Sequence, residues 1–250
     1  SYGGTSLAPD ADYVAASSAA SVMSAGGLGG LSSLELRKKL TGKTASATAS
    51  IGVYEETLSG SSSKKDLETM FQLIHLRFTQ PRADATGFDV LLGNIKASLP
   101  QQRSSPGFLF SEALTLALRG EHPRIRPVTE ETVRQMNLQK SFAFYKDRFG
   151  DAGDFTFVFV GSFDLEAMKP LVERYLGSLP STGRKESWKD TGIRYTTGVT
   201  VKRVEIESWL SIVTSSAATS SAIASGDSAG RVSARRERAW SAAALVVRCA

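Results

Sequence analysis

The spacing of apolar and polar residues divides residues 1–206 into helices and strands of ordinary length. Residues 64–79 carry an apolar side chain at every third or fourth position, which predicts an amphipathic helix. The members of this apolar stripe are Leu67, Phe71, Ile74 and Phe78. Residues 154–161 are apolar almost throughout, so this segment predicts a strand in the centre of a sheet.

Local signals define the remaining elements. Ser32 followed by Glu35 forms a capping-box pattern at the start of a short helix that ends before Gly42. Two runs of alternating residues, 44–53 and 56–62, predict an antiparallel hairpin. Further helices are predicted at 9–25, 88–102, 108–118, 138–149 and 165–176, with a short helix from Thr129 and a strand at 199–206. This order predicts an α+β fold in which a mixed or antiparallel sheet packs against one helical layer.

The composition agrees with a globular core of this kind. The chain has 250 residues, of which 41% are hydrophobic and 22% are charged. These values exclude a disordered tail protein, a collagen-like repeat and a coiled coil. Cys249 is the only cysteine, so no internal disulfide can form and the redox compartment stays open.

Charge and terminal sequence limit the classes of partner. The formal net charge is +5, but the basic residues form only short runs, such as 37–39 and 235–236, so no nucleic-acid partner is predicted. No apolar stretch approaches the ~20 residues of a membrane span, and no signal-peptide pattern is visible at the start. A chain that starts at Ser1 without Met is expected to be a processed product or a fragment.

The composition changes from about Glu207 onward. Residues 207–250 contain 10 Ser, 11 Ala and 5 Arg, without any Lys or Pro. We therefore divide the chain into an α+β domain at 1–206 and a Ser/Ala/Arg-rich tail at 207–250. Two interpretations of the tail stay open. It is either a frameshifted or foreign extension, or a flexible, disordered linker that ends in a short helix over residues 240–247.

Some serines stand in patterns that serine enzymes use. Ser-x-x-Lys occurs twice in overlap over residues 61–65, and Gly-x-Ser-x-Gly occurs once, around Ser228. The first pattern lacks its companion motifs, and the second lacks a preceding strand and a following His. Ser63 is instead predicted to cap a helix ahead of Asp66. A serine hydrolase that uses Ser62, Ser63 or Ser228 stays a third alternative.

Metal and phosphate sites are not predicted by these residues. His75 and His122 lie far apart in sequence, and no zinc-peptidase motif pairs either of them with a Glu. The glycine-rich segment 26–30 follows a predicted helix rather than a strand, and segment 42–44 lacks the earlier glycine of a phosphate loop. The sequence thus nominates no catalytic, cofactor-binding or metal-binding residue.

Several short blocks occur in the order that is typical of one peptidase family. They lie at residues 3–7, 29–32, 35–43, 58–61, 65–69, 73–76, 123–124, 144–149, 154–161 and 175–180. This ordered set covers about residues 1–206. It resembles the third domain of the pitrilysin/insulinase-type zinc metallopeptidases, in the bacterial, periplasmic form that has two halves.

The resemblance implies a pitrilysin/insulinase-peptidase-like domain from the half that does not bind zinc. In this family the other half carries an inverted motif, His-x-x-Glu-His, and the two halves close around a peptide. The equivalent segment here, residues 12–20, has no His and no Glu. The resemblance therefore implies that the chain binds no cofactor, is inactive alone, and helps to enclose and position peptide substrates. Its partners would be the zinc-binding catalytic half and peptides, and its location the periplasm.

Three departures from the family pattern affect the expected behaviour. The first strand expected before Ser1 is missing, the tail replaces the domain expected after residue 206, and the zinc half is absent. An unpaired sheet edge favours self-association or instability, so a sharply melting monomer is not expected. Two alternatives stay open beside the serine hydrolase: a stand-alone peptide-binding or scaffold module without catalysis, and a non-functional translation product.

Overall fold

A computed structural model describes residues 1–120, 122–197 and 244–248, the last of these as backbone only. The α-helices in these ranges are α1 (Tyr13–Gly26), α2 (Ser33–Lys39), α3 (Leu67–Thr79), α4 (Ala85–Arg103), α5 (Pro106–Arg119), α6 (Glu130–Gln135), α7 (Leu138–Phe149) and α8 (Leu165–Leu171). The strands are β1 (Ala45–Ile51), β2 (Glu56–Ser62), β3 (Thr156–Val160) and β4 (Ala244–Arg248). None of these helices is long and apolar enough to cross a membrane.

Two antiparallel strand pairs form the β part of the described structure. Strand β1 pairs with β2 as the predicted hairpin, with Thr48 opposite Ser59, and β3 pairs with β4. The helices pack against these strands, so the predicted α+β class is confirmed. The interpretation of β3 as a central strand is not matched, because β4 is its only neighbour in the described ranges and Val158 and Val160 are exposed. Strand β4 lies where one interpretation of the tail placed a short helix, and the predicted strand at 199–206 lies outside the described residues.

Helices α1, α3 and α7 supply most of the helical side chains of the main core. Helix α1 packs against α7, α4 and β1, while α3 packs against both strands of the hairpin. The predicted stripe of α3 faces this core, where Phe71, Ile74 and Phe78 are buried. Helix α1 contributes mainly small side chains, which allows its backbone to lie close to α7. The core is therefore rich in aromatic residues around α3 and in alanine around α1.

The capping box at the start of α2 is confirmed. The Ser32 Oγ accepts a hydrogen bond of 3.4 Å from the Glu35 N–H, and the Glu35 carboxylate accepts one of 2.9 Å from the Ser32 N–H. The hydrogen bonds from Ser32 hold the pKa of Glu35 below its ordinary value. Two backbone N–H groups at the start of α2, those of Ser32 and Glu35, thus find acceptors within the same turn.

Replacement of Ser32 by alanine should lower the free energy of unfolding by about 1 kcal/mol, because the first turn of α2 loses its cap. Urea denaturation followed by far-UV circular dichroism measures the loss. Ser33→Ala is the matched control, since the Ser33 hydroxyl makes no hydrogen bond within the described structure. Equal losses in the two variants would contradict the assigned role of the cap.

Candidate functional site

Residues 12–20, which the resemblance aligns with the family zinc motif, lie at the start of α1. Ala15, Ala16 and Ala19 are buried there. The Ser141 Oγ of α7 donates a hydrogen bond of 2.9 Å to the Ala15 carbonyl oxygen. The buried surface is filled by methyl groups, and Asp12, the one carboxylate of the segment, pairs with the Lys140 Nζ at 2.6 Å, so a zinc ion does not fit it. No group of three His, Cys, Asp or Glu residues suited to a metal occurs in the described ranges.

Both histidines have structural contacts. The His75 Nδ1 lies 2.9 Å from the Tyr175 carbonyl oxygen, which links α3 to the π-helical segment Val172–Leu176 that continues α8. The His122 Nδ1 accepts a hydrogen bond of 3.2 Å from the Arg124 N–H and thereby caps a short 3₁₀ turn. Neither contact joins a histidine to a serine or to a carboxylate.

The serines of the Ser-x-x-Lys pattern lie at the end of β2. Ser63 occupies the predicted N-cap position, but its side chain makes no cap hydrogen bond and instead donates to the Asp66 carboxylate at 2.7 Å. The Thr44 N–H donates to the same carboxylate, and these hydrogen bonds keep the pKa of Asp66 below its ordinary value. Asp66 therefore ties β1 to the start of α3. Ser228 and Cys249 lie outside the described residues.

A cavity of about 560 Å³ separates β2 from β3. Its two long walls are residues 56–63 and 155–163. Apolar side chains from the helices complete the lining: Leu67, Met70, Ile74 and Met168. A cavity of this volume is typical of ligand-binding sites. We call it the strand slot, because both of its long walls are formed by extended backbone.

The backbone hydrogen bonds of Glu56, the first residue of β2, show which edge of this strand faces the strand slot. The Ser1 N–H donates to the Glu56 carbonyl oxygen and the Glu56 N–H donates to the Ser1 carbonyl oxygen, both at 3.1 Å. In an antiparallel pair the backbone groups of alternate residues point to the same side. Leu58, Gly60 and Ser62 therefore direct their N–H and C=O groups into the strand slot, where no described residue pairs with them.

An ion cluster holds the side chain of Glu56, the first residue of the β2 wall of the strand slot. Glu56 is 1% exposed, and its Oε1 accepts hydrogen bonds from the Gly4 N–H at 2.9 Å and from the Arg148 Nη1 at 3.3 Å. The Glu186 carboxylate accepts two more hydrogen bonds from Arg148, at 2.8 and 3.0 Å. Asp147 also contacts this guanidinium. We call these four residues, Glu56, Asp147, Arg148 and Glu186, the Arg148 cluster.

The carboxylates of the Arg148 cluster stabilise the protonated form of the Arg148 guanidinium. Burial alone lowers the pKa of Arg148, but hydrogen bonds to the Glu186 and Asp147 carboxylates outweigh burial and raise the pKa above its ordinary value. The guanidinium is therefore permanently positive. Gly3 is required beside it, because Gly3 has a φ of +142° and a Cβ there would lie 2.7 Å from the Arg148 Nη1.

Sequence reasoning nominated no site residue and missed both the strand slot and the Arg148 cluster. The available signals were the glycine pair at residues 3–4 and an arginine within a helix that is otherwise aromatic on its inner face. Neither signal identifies Glu56 or Glu186 as a partner. The edge of β2 was missed because its alternation of small and polar residues is the same whether the strand lies at an edge or at the centre.

The fold and the slot define an α+β domain with a buried ion cluster and an open strand edge. Residues 135–216 match the family model described as "Peptidase M16 inactive domain", and M16 is the pitrilysin/insulinase-type peptidase family. A curated relative from Arabidopsis thaliana, "Zinc protease PQQL-like", is 25% identical over 183 residues, which are 72% of this chain and 16% of the relative. The chain thus spans about a sixth of that relative's length.

Solved structures show the same fold. The periplasmic protease PqqL from Escherichia coli has a TM-score of 0.62 and 22% identity, over 78% of this chain and 21% of that one. The peptidase M16 inactive domain from Pseudomonas fluorescens has a TM-score of 0.53 and 15% identity, over 74% of this chain and 45% of that one. The resemblance stated from the sequence is confirmed: the chain is similar to the inactive domain of the M16 zinc peptidases.

Proposed function

We propose that the chain is a non-catalytic half-domain that helps a zinc peptidase to enclose and position its peptide substrate. The match to the family's inactive domain carries the proposal, together with the buried alanines of α1 in the segment equivalent to the zinc motif. In this proposal zinc and the catalytic glutamate belong to a companion half, and this chain contributes surface only. The proposal includes a periplasmic location, which the description of the E. coli protein as a periplasmic protease supports.

An apolar surface on α5 supports a contact with a companion half. Phe110 is 60% exposed, and Leu114 and Leu118 follow it at four-residue intervals and are also exposed. The three side chains therefore form one stripe along the helix. A contiguous apolar stripe on a surface is typical of an interface with another domain or protein. The companion half is the partner that the proposed function requires.

The chain alone should neither cleave peptides nor retain stoichiometric zinc after dialysis. The source gene, read beyond both ends and in all frames, should encode an upstream His-x-x-Glu-His motif. The longer product should cleave a fluorogenic peptide, and a chelator should abolish this activity.

Phe110→Asp in the longer product should lower kcat/KM at least about tenfold, which is a loss of about 1.4 kcal/mol in transition-state stabilisation.

Ser111→Asp is the matched control for this prediction, because Ser111 is an exposed neighbour outside the apolar stripe. The control should retain the activity of the longer product. Peptide cleavage by the chain alone, or a gene without a companion half, would overturn the proposed function.

The second candidate is a stand-alone peptide-binding module. The strand slot favours it, because a free strand edge over an apolar floor binds extended peptides by strand addition. A gene that encodes only this chain, together with peptide binding that a chelator leaves unchanged, would support the module over the peptidase half-domain.

A further inference from the structure

We propose that a second cavity, lined by arginine and tyrosine side chains, binds a peptide through one carboxylate and the apolar side chain beside it. Its volume of about 280 Å³ is small for a ligand site, so the occupant is about one residue of the peptide. This inference goes beyond the proposed function, because it concerns binding by this chain whether or not a companion half exists. We call the cavity the arginine pocket, and its polar lining residues are Tyr13, Tyr54, Arg119, Arg124, Arg194 and Tyr195.

Five parts of the fold meet at the arginine pocket. Tyr13 is the first residue of α1, Tyr54 lies in the turn between β1 and β2, and Arg119 is the last residue of α5. Arg124 lies in the short 3₁₀ turn that follows α5, and residues 193–195 close the remaining side. The pocket is therefore built from positions that are well separated in sequence.

The segment that closes the arginine pocket is held in place at both ends. The Thr196 N–H donates a hydrogen bond of 2.8 Å to the Leu118 carbonyl oxygen, which ties the end of the segment to α5. At its start, the ring of Trp188 lies 5.1 Å from the ring of Tyr54. These contacts form the pocket without a ligand, and a preformed pocket lowers the free-energy cost of binding.

The arginine pocket holds one positive charge more than the described carboxylates neutralise. Arg194 donates hydrogen bonds to Asp190 and lowers the pKa of that carboxyl to about 2, so the two charges cancel at neutral pH. Asp10 accepts a hydrogen bond of 2.7 Å from the Arg124 Nε. Within the described residues, Arg119 donates only to a tyrosine hydroxyl, at 3.1 Å, and no Asp or Glu lines the pocket. The pocket therefore favours a ligand with a single negative charge.

Arg124 supplies hydrogen-bond donors from within the wall of the pocket. Its side chain is 6% exposed, and three of its five N–H groups donate to Asp10 and to the carbonyl oxygens of Thr5 and Ala8. One N–H group on each terminal nitrogen has no acceptor among the described residues. A guanidinium presents its donors in a fork that matches the two oxygens of a carboxylate. A ligand carboxylate thus satisfies donors that are otherwise costly to bury.

The rest of the lining determines what accompanies the carboxylate. Val53, Ile125 and Ile193 contribute apolar surface, and the Arg119 guanidinium carbon lies 5.1 Å from the centre of the Tyr195 ring. An aromatic side chain packs well against such rings and against a stacked guanidinium. A phosphate group carries up to two negative charges, which exceeds the one arginine that lacks a described carboxylate partner. A carboxylate next to an aromatic side chain therefore fits the pocket better.

Two parts of a peptide carry this chemistry. One is a free carboxyl terminus on an aromatic last residue, and the other is an Asp or Glu side chain next to an aromatic residue. Three probes with one reporter separate them: acetyl-Ser-Gly-Ser-(4-fluorophenylalanine) as the acid, the same peptide as the amide, and acetyl-Ser-Glu-(4-fluorophenylalanine)-Ser as the amide. The ¹⁹F resonance of each probe is followed by NMR while the full chain is added.

The acid should bind saturably in the submillimolar range, and its amide at least about tenfold more weakly, because the amide lacks the charge that pairs with arginine. If the Glu-containing amide binds as the first amide does, the carboxyl terminus is the source of the carboxylate. If it binds as the acid does, a side-chain carboxylate is also accepted. Either result supports the pocket, whereas equal affinity of all three probes would overturn the proposal.

Arg119→Gln removes the positive charge from an exposed position, so the fold should be retained. The acid should then bind at least about tenfold more weakly, and the acid and amide should differ by less than about twofold. Arg126→Gln is the matched control, because Arg126 is an exposed arginine outside the lining and its loss changes the net charge equally. Equal losses in the two variants would overturn the proposal. Displacement of the acid by millimolar phosphate but not by acetate would also overturn it, because the pocket would then recognise phosphate.

Discussion

Replacement of Arg148 by alanine should lower the free energy of unfolding by about 3–5 kcal/mol. Arg148 is 3% exposed and Glu56 is 1% exposed, so removal of the guanidinium leaves a carboxylate in the interior without its counter-ion. Glu186 loses two hydrogen bonds in the same step. A lost partner of a buried charge costs far more than a lost surface ion pair, because water cannot replace it.

A double-mutant cycle separates this effect from the loss of packing. In Arg148→Ala the buried Glu56 carboxylate has lost its counter-ion, and Glu56→Gln removes this uncompensated charge. The double variant should therefore be more stable than Arg148→Ala alone. Arg134→Ala is the surface control, because Arg134 forms only exposed pairs with Glu130 and Glu131 and should cost less than about 1 kcal/mol. Urea denaturation measures the unfolding of all five chains: the wild type, Glu56→Gln, Arg148→Ala, their double variant and Arg134→Ala. Equal losses for Arg148→Ala and Arg134→Ala would contradict the role assigned to the cluster.

The local elements were predictable because their signals lie within a few residues of each other. The stripe of α3 repeats at helical spacing, and the structure places the helix at Leu67–Thr79 after a short 3₁₀ turn. Helix α7 was predicted with its observed bounds, since aromatic residues recur along one of its faces. Ser32 and Glu35 form their cap through bonds inside a single turn. Such elements need no knowledge of the rest of the chain.

The strand slot and the Arg148 cluster depend on residues that are far apart in sequence. Glu56 and Arg148 are separated by 92 positions, and their contact exists only after β2 and α7 pack together. The continuous apolar run of β3 predicted a central strand, but its outer valines remain exposed in the described structure. The apolar composition of β3 therefore does not determine its burial. The exposure of Val158 and Val160 depends on which elements pack against β3.

The division of the chain at residue 206 stays a prediction. The family match extends to residue 216, while the described structure resumes only at β4. The proposed role of the chain rests on the family match, which spans this boundary, and on the buried alanines of α1 and the apolar stripe of α5, which lie before it.

Replacement of Phe78 by alanine should lower the free energy of unfolding by about 3–5 kcal/mol. Phe78 is 4% exposed, and its ring lies 4.9 Å from that of Phe155, 5.8 Å from that of Phe149 and 6.0 Å from that of Phe157. One side chain thus connects α3 with α7 and β3. Edge-on contacts between such rings add to the transfer free energy of the ring itself.

Urea denaturation and the change in Tm measure the loss of stability in Phe78→Ala. Two further variants provide the comparison. Phe78→Leu keeps most of the volume and should lose less than about 1.5 kcal/mol, so it reports on the site even if the alanine variant does not fold. Val158→Ala removes an exposed side chain of β3 and should change stability by less than about 0.5 kcal/mol. A loss at Phe78→Ala that matches the loss at Val158→Ala would mean that α3 does not hold α7 and β3 together. In that case the wall of the strand slot formed by β3 would need another support, because α3 lines the same cavity.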